Sequence, residues 1–202
     1  NTPLAISECK RLVNEMAELS RTAVNNALSI FLSYDEKIAK EVAENEVKID
    51  KYEDRLGTYL VKISANLLNE EDSHSVARML HSLSDFERIS DHSLNICNSS
   101  LEIKEKNLIF SPDANMEIEN ITNALYEIIQ MSFDAFINDD IKSASHVEPL
   151  EQVIDGLKDT LKLHHVGRLQ KGECTTQLGF VFSDLLTDFE RISDHCSNLA
   201  VF

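Results

Sequence analysis

The sequence predicts an all-α protein: two tandem three-helix bundles, six long helices in all, related by internal duplication. Three features carry that expectation. The string DFERISDH stands twice, at residues 85–92 and again at 188–195, and a perfect internal match at half the chain length marks two copies of one unit. Apolar residues recur at three- and four-residue steps along most of the chain, the spacing of one helical face. Only 5 Gly and 3 Pro interrupt 202 residues, which suits long helices and few turns.

The first helix is expected over residues 4–33, with Leu12, Met16, Leu19, Ala23, Ala27 and Ile30 on one face. The second, over 35–68, carries Ile38, Val42, Ile49, Leu56, Leu60, Ile63 and Leu67 on one side. Residues 69–73 form a polar connection rich in cap-forming types. The third helix, over 74–104, uses Val76, Leu80, Leu83, Leu94, Cys97 and Leu101. Residues 107–112 break the pattern and separate the first unit, 1–106, from the second, 113–202. The remaining helices are expected at 113–138, 140–170 and 173–202. Lys171-Gly172 is a typical helix stop. Pro149 either kinks the fifth helix or marks its true start.

Duplication reaches beyond the repeated octet. A shift of 105 lays residues 31–35 on 136–140, and Glu46, Asp50 and Asp54 on Glu151, Asp155 and Asp159. The shift falls to 103 at the second DFERISDH, so two residues are lost in a connection, where deletions are tolerated. The third helix has a second apolar line, Ile89, Ile96 and Ile103, well off its main stripe. Two uses are open to it: burial against the other bundle, or a surface for a second copy or a larger partner.

Charge narrows the function. With 19 Lys plus Arg against 35 Asp plus Glu, the chain carries a formal charge of -16, which argues against nucleic acid or an anionic membrane surface as partner. No run approaches the length of a membrane-spanning helix. The four cysteines show no CxxC spacing and read as reduced thiols, as in the cytoplasm. No Gly-rich phosphate loop, nucleophile elbow or HExxH is present. Glu71-x-x-His74 has the spacing of di-iron carboxylate proteins, but stands once, in a connection, where those need it twice and mid-helix. The chain is therefore read as a non-enzyme.

The carboxylates are the candidate site. Glu87 and Asp91 flank the apolar stripe of the third helix, and Glu46, Asp50 and Asp54 flank that of the second. When two such helices pack, the edges of their stripes converge. Glu151, Asp155, Asp159, Glu190 and Asp194 are the matching set in the second unit. Like charges one helical turn apart repel, and neighbouring carboxylates resist simultaneous ionisation. A multivalent cation removes that cost, and oxygen-only ligands suit Mg, Ca, Mn or ferric iron. Each single pair also reads as a solvated face; the same spacing on both helices of both units is what favours a metal site. Asp85 and Asp188 lie about 120° around the helix from Asp91 and Asp194 and stay outside the cluster. His92 and His195 read as structural histidines bonded to Asp85 and Asp188 two turns away on their own helices. Arg88 and Arg191 read as neutralising excess acid, and His164, His165 and Arg168 as a solvated helix end.

Tandem three-helix units, each with Glu-x-x-x-Asp embedded in ERISDH, resemble the PhoU family. The resemblance covers both units and is strongest at Glu87 to Asp91 and Glu190 to Asp194, good at Glu46 to Asp50 and Glu151 to Asp155. The run from His165 to Gly172, followed by DFERISDHCSN, is most similar to the C-terminal PhoU-like domain of bacterial sodium/phosphate cotransporters. The resemblance implies a cytoplasmic, non-catalytic regulator of phosphate transport, with multinuclear metal held by Glu46, Asp50, Glu87, Asp91, Glu151, Asp155, Glu190 and Asp194. It implies iron or zinc; Mg or Mn also fits the oxygen donors. The implied partner is a membrane-embedded phosphate transporter, in the same or a separate chain, with a homodimer left open. The main expectation is the soluble part of such a cotransporter; the alternatives are a freestanding PhoU-type regulator, a ferritin-like di-metal oxidase, or a structural helical adaptor.

Overall fold

The computed structural model of this chain describes residues 1–66 and 68–201. Leu67, expected on the apolar face of the second helix, and Phe202, expected at the end of the sixth, lie outside them. The described residues form α1 (Thr2–Ile30), α2 (Glu36–Ser64), α3 (Glu70–Glu105), α4 (Pro112–Asn138), the single-turn α5 (Ile141–Ala144), α6 (Val147–Gln170) and α7 (Thr176–Leu199). No strand occurs among them, so the all-α expectation of six long helices holds.

Side-chain caps set four of the long starts. Asp35 accepts from the Ile38 N–H at 3.2 Å, Asn69 from Asp72 at 2.7 Å, Ser111 from Ala114 at 3.1 Å and Thr175 from Leu178 at 3.1 Å. Asn69 corrects the expected connection at 69–73. It is the cap itself, and Glu70, Glu71 and Asp72 fill the first turn of α3, where acid complements the helix dipole. The expected fifth helix is broken. Asp139 adopts a left-handed conformation (φ 53°) that ends α4, and Asp140 caps the short α5. Pro149 then falls in the first turn of α6, where its missing N–H leaves no intrahelical bond unmade, so it marks the true start. Gly172 (φ 71°) stops α6 without the clash that a Cβ brings.

α1, α2 and α3 pack as one bundle, α4, α6 and α7 as the other. α3 and α7, the helices that carry DFERISDH, lie against each other at the centre, and α1 also meets α4. One continuous core runs through both units. Phe86 meets Phe133 and Phe136 of the second unit at 5.6 and 5.1 Å, and Phe189 meets Phe31 of the first at 5.7 Å. Ile89, Ile96 and Ile103 are buried in this core, so the second apolar line is spent inside the molecule.

The motif histidines have other partners than expected. His92 Nδ1 lies 2.9 Å from Asp188 Oδ1, and His195 Nδ1 lies 2.9 Å from Asp85 Oδ1. Each bond crosses between units. Seven residues of helix rise about 10 Å, too far for the within-helix pair. Asn198 Nδ2 also donates to Asp85 at 3.1 Å, and Asn95 Nδ2 to Asp188 at 3.4 Å. The two imidazole rings stack, centroids 6.1 Å apart, between these reciprocal pairs.

Small residues let the central helices approach. Ser90, Ser93 and Ser193 are buried, and Ser93 Oγ donates to the Ile89 carbonyl at 2.7 Å. The matched hydroxyls of Ser90 and Ser193 have no hydrogen-bond partner among the described residues. Removing a buried orphan hydroxyl is favourable, so Ser193→Ala is expected to raise stability by about 1 kcal/mol. Asp188→Ala strands the His92 Nδ1–H and is expected to lower it by about 1–3 kcal/mol. Chemical denaturation checks both, and a double-mutant cycle of His92→Ala with Asp188→Ala should return a coupling well above experimental error.

Candidate metal centre

α2 and α3 face each other along the acidic edges of their apolar stripes. One carboxylate oxygen each from Glu46, Asp50 and Asp91 lies within 4.8 Å of the others. Glu87, one turn before Asp91, shares a hydrogen bond with it, and Glu46 shares one with Asp50. Of the five acids that the sequence placed on this seam, Glu46, Asp50 and Asp91 cluster and Glu87 joins them through Asp91. The structure adds Glu53, which feels the charges of Asp50 and Asp91. Asp54 is exposed beside it.

Proton affinities record the crowding. Burial, the bond to Asp50 and the charges of Asp50 and Asp91 raise Glu46 from its ordinary 4.5 to about 7. Burial, the bond to Asp91 and the charges of Asp91, Glu53 and Asp50 raise Glu87 to about 8. Glu53 is pushed up by burial, then by Asp50 and Asp91, against the pull of Arg88. Arg88 therefore does temper the acid, as the sequence suggested. Without a cation, protons on Glu46 and Glu87 relieve the repulsion. The donors are all carboxylate oxygens, a set that fits a hard cation.

The second seam, between α6 and α7, has a different chemistry. Glu151 bonds to Asp194, and burial, that bond and the Asp194 and Asp155 charges raise it to about 7. Asp155 and Glu190, however, are held by the Lys158 ammonium, at 3.0 and 2.9 Å, and Asp159 lies 3.6 Å from the same nitrogen. Burial opposes the charge on Lys158, but the bonds to Glu190 and Asp155 outweigh it and hold the amine well above its ordinary range. The sequence reading missed Glu53 and Lys158. The signal was present: the 105-residue shift that pairs Asp50 with Asp155 also pairs Glu53 with Lys158.

Other expected groups fall elsewhere. Glu71 and His74 are exposed near the start of α3, outside any bundle interior, which removes the geometric basis of a ferritin-like site there. His164 and Arg168 do not form a loose solvated end. Both pair with Glu117, at 2.7 and 2.8 Å. His165 is buried against Phe182, and burial lowers its proton affinity. Arg191 is exposed. The four cysteines are free, and Cys9, Cys97 and Cys196 are buried.

A duplicated helical unit with paired carboxylate edges defines the class, and comparison with known proteins assigns it. The PhoU domain profile matches residues 13–100 and 118–201, one match per unit. This chain belongs to the PhoU family. It is 25% identical over 189 residues to the phosphate-specific transport system accessory protein PhoU homolog 1 of Thermotoga maritima, covering 93% of this chain and 80% of that one. It is 24% identical to the PhoU homolog of Pseudomonas aeruginosa, covering 92% of this chain and 76% of that one. The crystal structure of PhoU from Pseudomonas aeruginosa superposes with a TM-score of 0.89 at 22% identity, over 99% of this chain and 95% of that chain. PhoU from Streptococcus pneumoniae gives 0.83 at 19%, over 99% and 93%. At these identities the superpositions establish the fold.

The raised groups predict a pH dependence. Glu46 and Glu87 bind protons more tightly folded than unfolded. Their contribution to stability is therefore full below about pH 4.5 and is lost as pH rises toward about 8. In chelator, the melting temperature is expected to fall across that window. Glu87→Gln, which keeps a donor toward Asp91 without titrating, should flatten the upper part of the fall.

Proposed function

We propose that this chain is a regulator of phosphate transport of the PhoU type, an accessory protein that acts at the cytoplasmic face of the membrane on a membrane-embedded phosphate transporter. The observation that carries this reading is the family match over both units, with relatives named as accessory proteins of phosphate-specific transport. Those relatives are matched over 76% and 80% of their own length, which favours the accessory-protein reading over the cotransporter-domain reading. No helix among the described residues is long and apolar enough to cross a membrane, so the proposed partner supplies the transport path. The role is regulatory: the acidic edge offers ligands and no activated nucleophile.

Within that role, Glu46, Asp50, Glu87 and Asp91, with Glu53 beside them, would hold a metal ion or cluster at the first seam. When bound, the metal supplies positive charge that offsets the repulsion between the α2 and α3 carboxylates. Of iron and zinc, an all-carboxylate set favours iron, since zinc accepts carboxylates but its sites usually include nitrogen or sulfur as well. The chain's own residues set the threshold. Glu46 and Glu87 hold protons in the absence of metal, so metal binding is expected to release protons and to weaken as pH falls.

Two measurements test the reading. Cells lacking this chain should lose the restraint on phosphate uptake in phosphate-rich medium, read as labelled phosphate entry. Unaltered uptake across phosphate concentrations argues against a regulator. Purified protein should carry metal by elemental analysis, and Glu87→Ala with Asp91→Ala should remove at least the first-seam share. Unchanged metal content rejects the site.

A further inference from the structure

The two seams match at five positions and differ at one. Glu46, Asp50, Asp54, Glu87 and Asp91 correspond to Glu151, Asp155, Asp159, Glu190 and Asp194, but Glu53 corresponds to Lys158. That single exchange replaces a negative charge with a positive one in the middle of the acidic edge. We infer that Lys158 is a built-in cation that closes the second seam, so that this chain takes metal at its first seam alone. The inference deepens the metal-binding reading above and rests on it for the first seam.

The geometry is that of a filled site. Lys158 reaches Asp155 Oδ1 at 3.0 Å on its own helix and Glu190 Oε1 at 2.9 Å on α7. Asp159 Oδ1 lies 3.6 Å away, so the three ammonium hydrogens face three carboxylates. The Lys158 side chain is only 10% exposed, so the ammonium does not swing freely into water. A metal ion at Asp155 and Glu190 would have to displace a buried ammonium from its two shortest ion pairs. What remains is Glu151 with Asp194, bonded to each other. The donors of the second seam therefore do not fit a multivalent cation. At the matching place in the first seam, Glu53 offers a carboxylate close enough to feel the charges of Asp50 and Asp91. The ammonium bridges α6 to α7, a link that the α2–α3 seam lacks at the matching position, where Glu53 stands.

The test uses the full chain, stripped with chelator, loaded with Mn2+ alone and desalted. Elemental analysis and the Mn2+-dependent shift in melting temperature are the readouts. Wild type is expected to hold Mn2+ and to gain several degrees of stability. Asp91→Ala should lose all of the bound metal, whatever the number of ions in the first seam. Adding Lys158→Glu to Asp91→Ala should restore binding through the second seam. Lys158→Met, which removes the charge with little change of bulk, serves if the glutamate variant does not fold in chelator, and is also expected to restore binding. The converse exchange, Glu53→Lys in otherwise wild-type protein, should abolish Mn2+ binding while leaving the chain folded in chelator. Metal retained by Asp91→Ala, or full binding by Glu53→Lys, overturns the inference. A wild type that holds no metal while Lys158→Glu does would sink the first-seam reading and leave standing only the closure of the second seam by Lys158. No metal on any variant ends both.

Discussion

Two crossed hydrogen-bonded pairs hold this molecule in register. Asp85 and Asp188 are buried carboxylates, a costly placement unless bonded. Each is satisfied from the other unit: Asp85 by His195 and Asn198, Asp188 by His92 and Asn95. A slip of one helical turn, about 5.4 Å, between α3 and α7 would break all four contacts at once and leave both aspartates stranded. That makes the alignment of the central helices close to all-or-none. With it fixed, Phe86 lands among Phe133 and Phe136, Phe189 lands on Phe31, and Ile89 and Ile192 fill the space between.

The octet DFERISDH serves two purposes because a helix separates its residues by azimuth. Asp85, Phe86, Ile89 and His92 point toward the partner unit. Glu87 and Asp91 point toward α2. The cohesive face is conventional packing. The other face gathers like charges against an apolar stripe, a local conflict of the kind that folded proteins concentrate at functional positions. The chain balances the conflict in two ways. In the first seam the carboxyl groups retain protons near neutral pH; in the second an ammonium sits among them.

Most of the architecture was legible in one sequence because helical periodicity and internal repetition are local signals. Leu12 to Ile30 and Val42 to Ile63 declare their helices without knowledge of a partner. Pro149 and Gly172 declare boundaries through their backbone restrictions. Failures came where a partner had to be named. The azimuth of His92 showed which side of α3 it occupies, but not that Asp188 waits across the interface, since that depends on which helix packs there. Asn69 looked like a loop residue because a cap and a loop use the same side chains. Glu53 and Lys158 were overlooked for a plainer reason. The acids were followed at four-residue steps, and Glu53 stands three after Asp50, a spacing that shares the same helix face.

The contacts at the centre are reciprocal: position 92 meets 188 and position 195 meets 85. Such self-complementarity is the hallmark of an interface between identical subunits. A lone copy of this unit would present a face made to receive its own twin. Joining two copies in one polypeptide makes that association intramolecular and independent of concentration. It also releases the pair from a restriction. In a true homodimer every substitution appears on both sides of the axis, so glutamate and lysine cannot occupy equivalent places. Fusion lets the halves specialise while the shared interface stays symmetric.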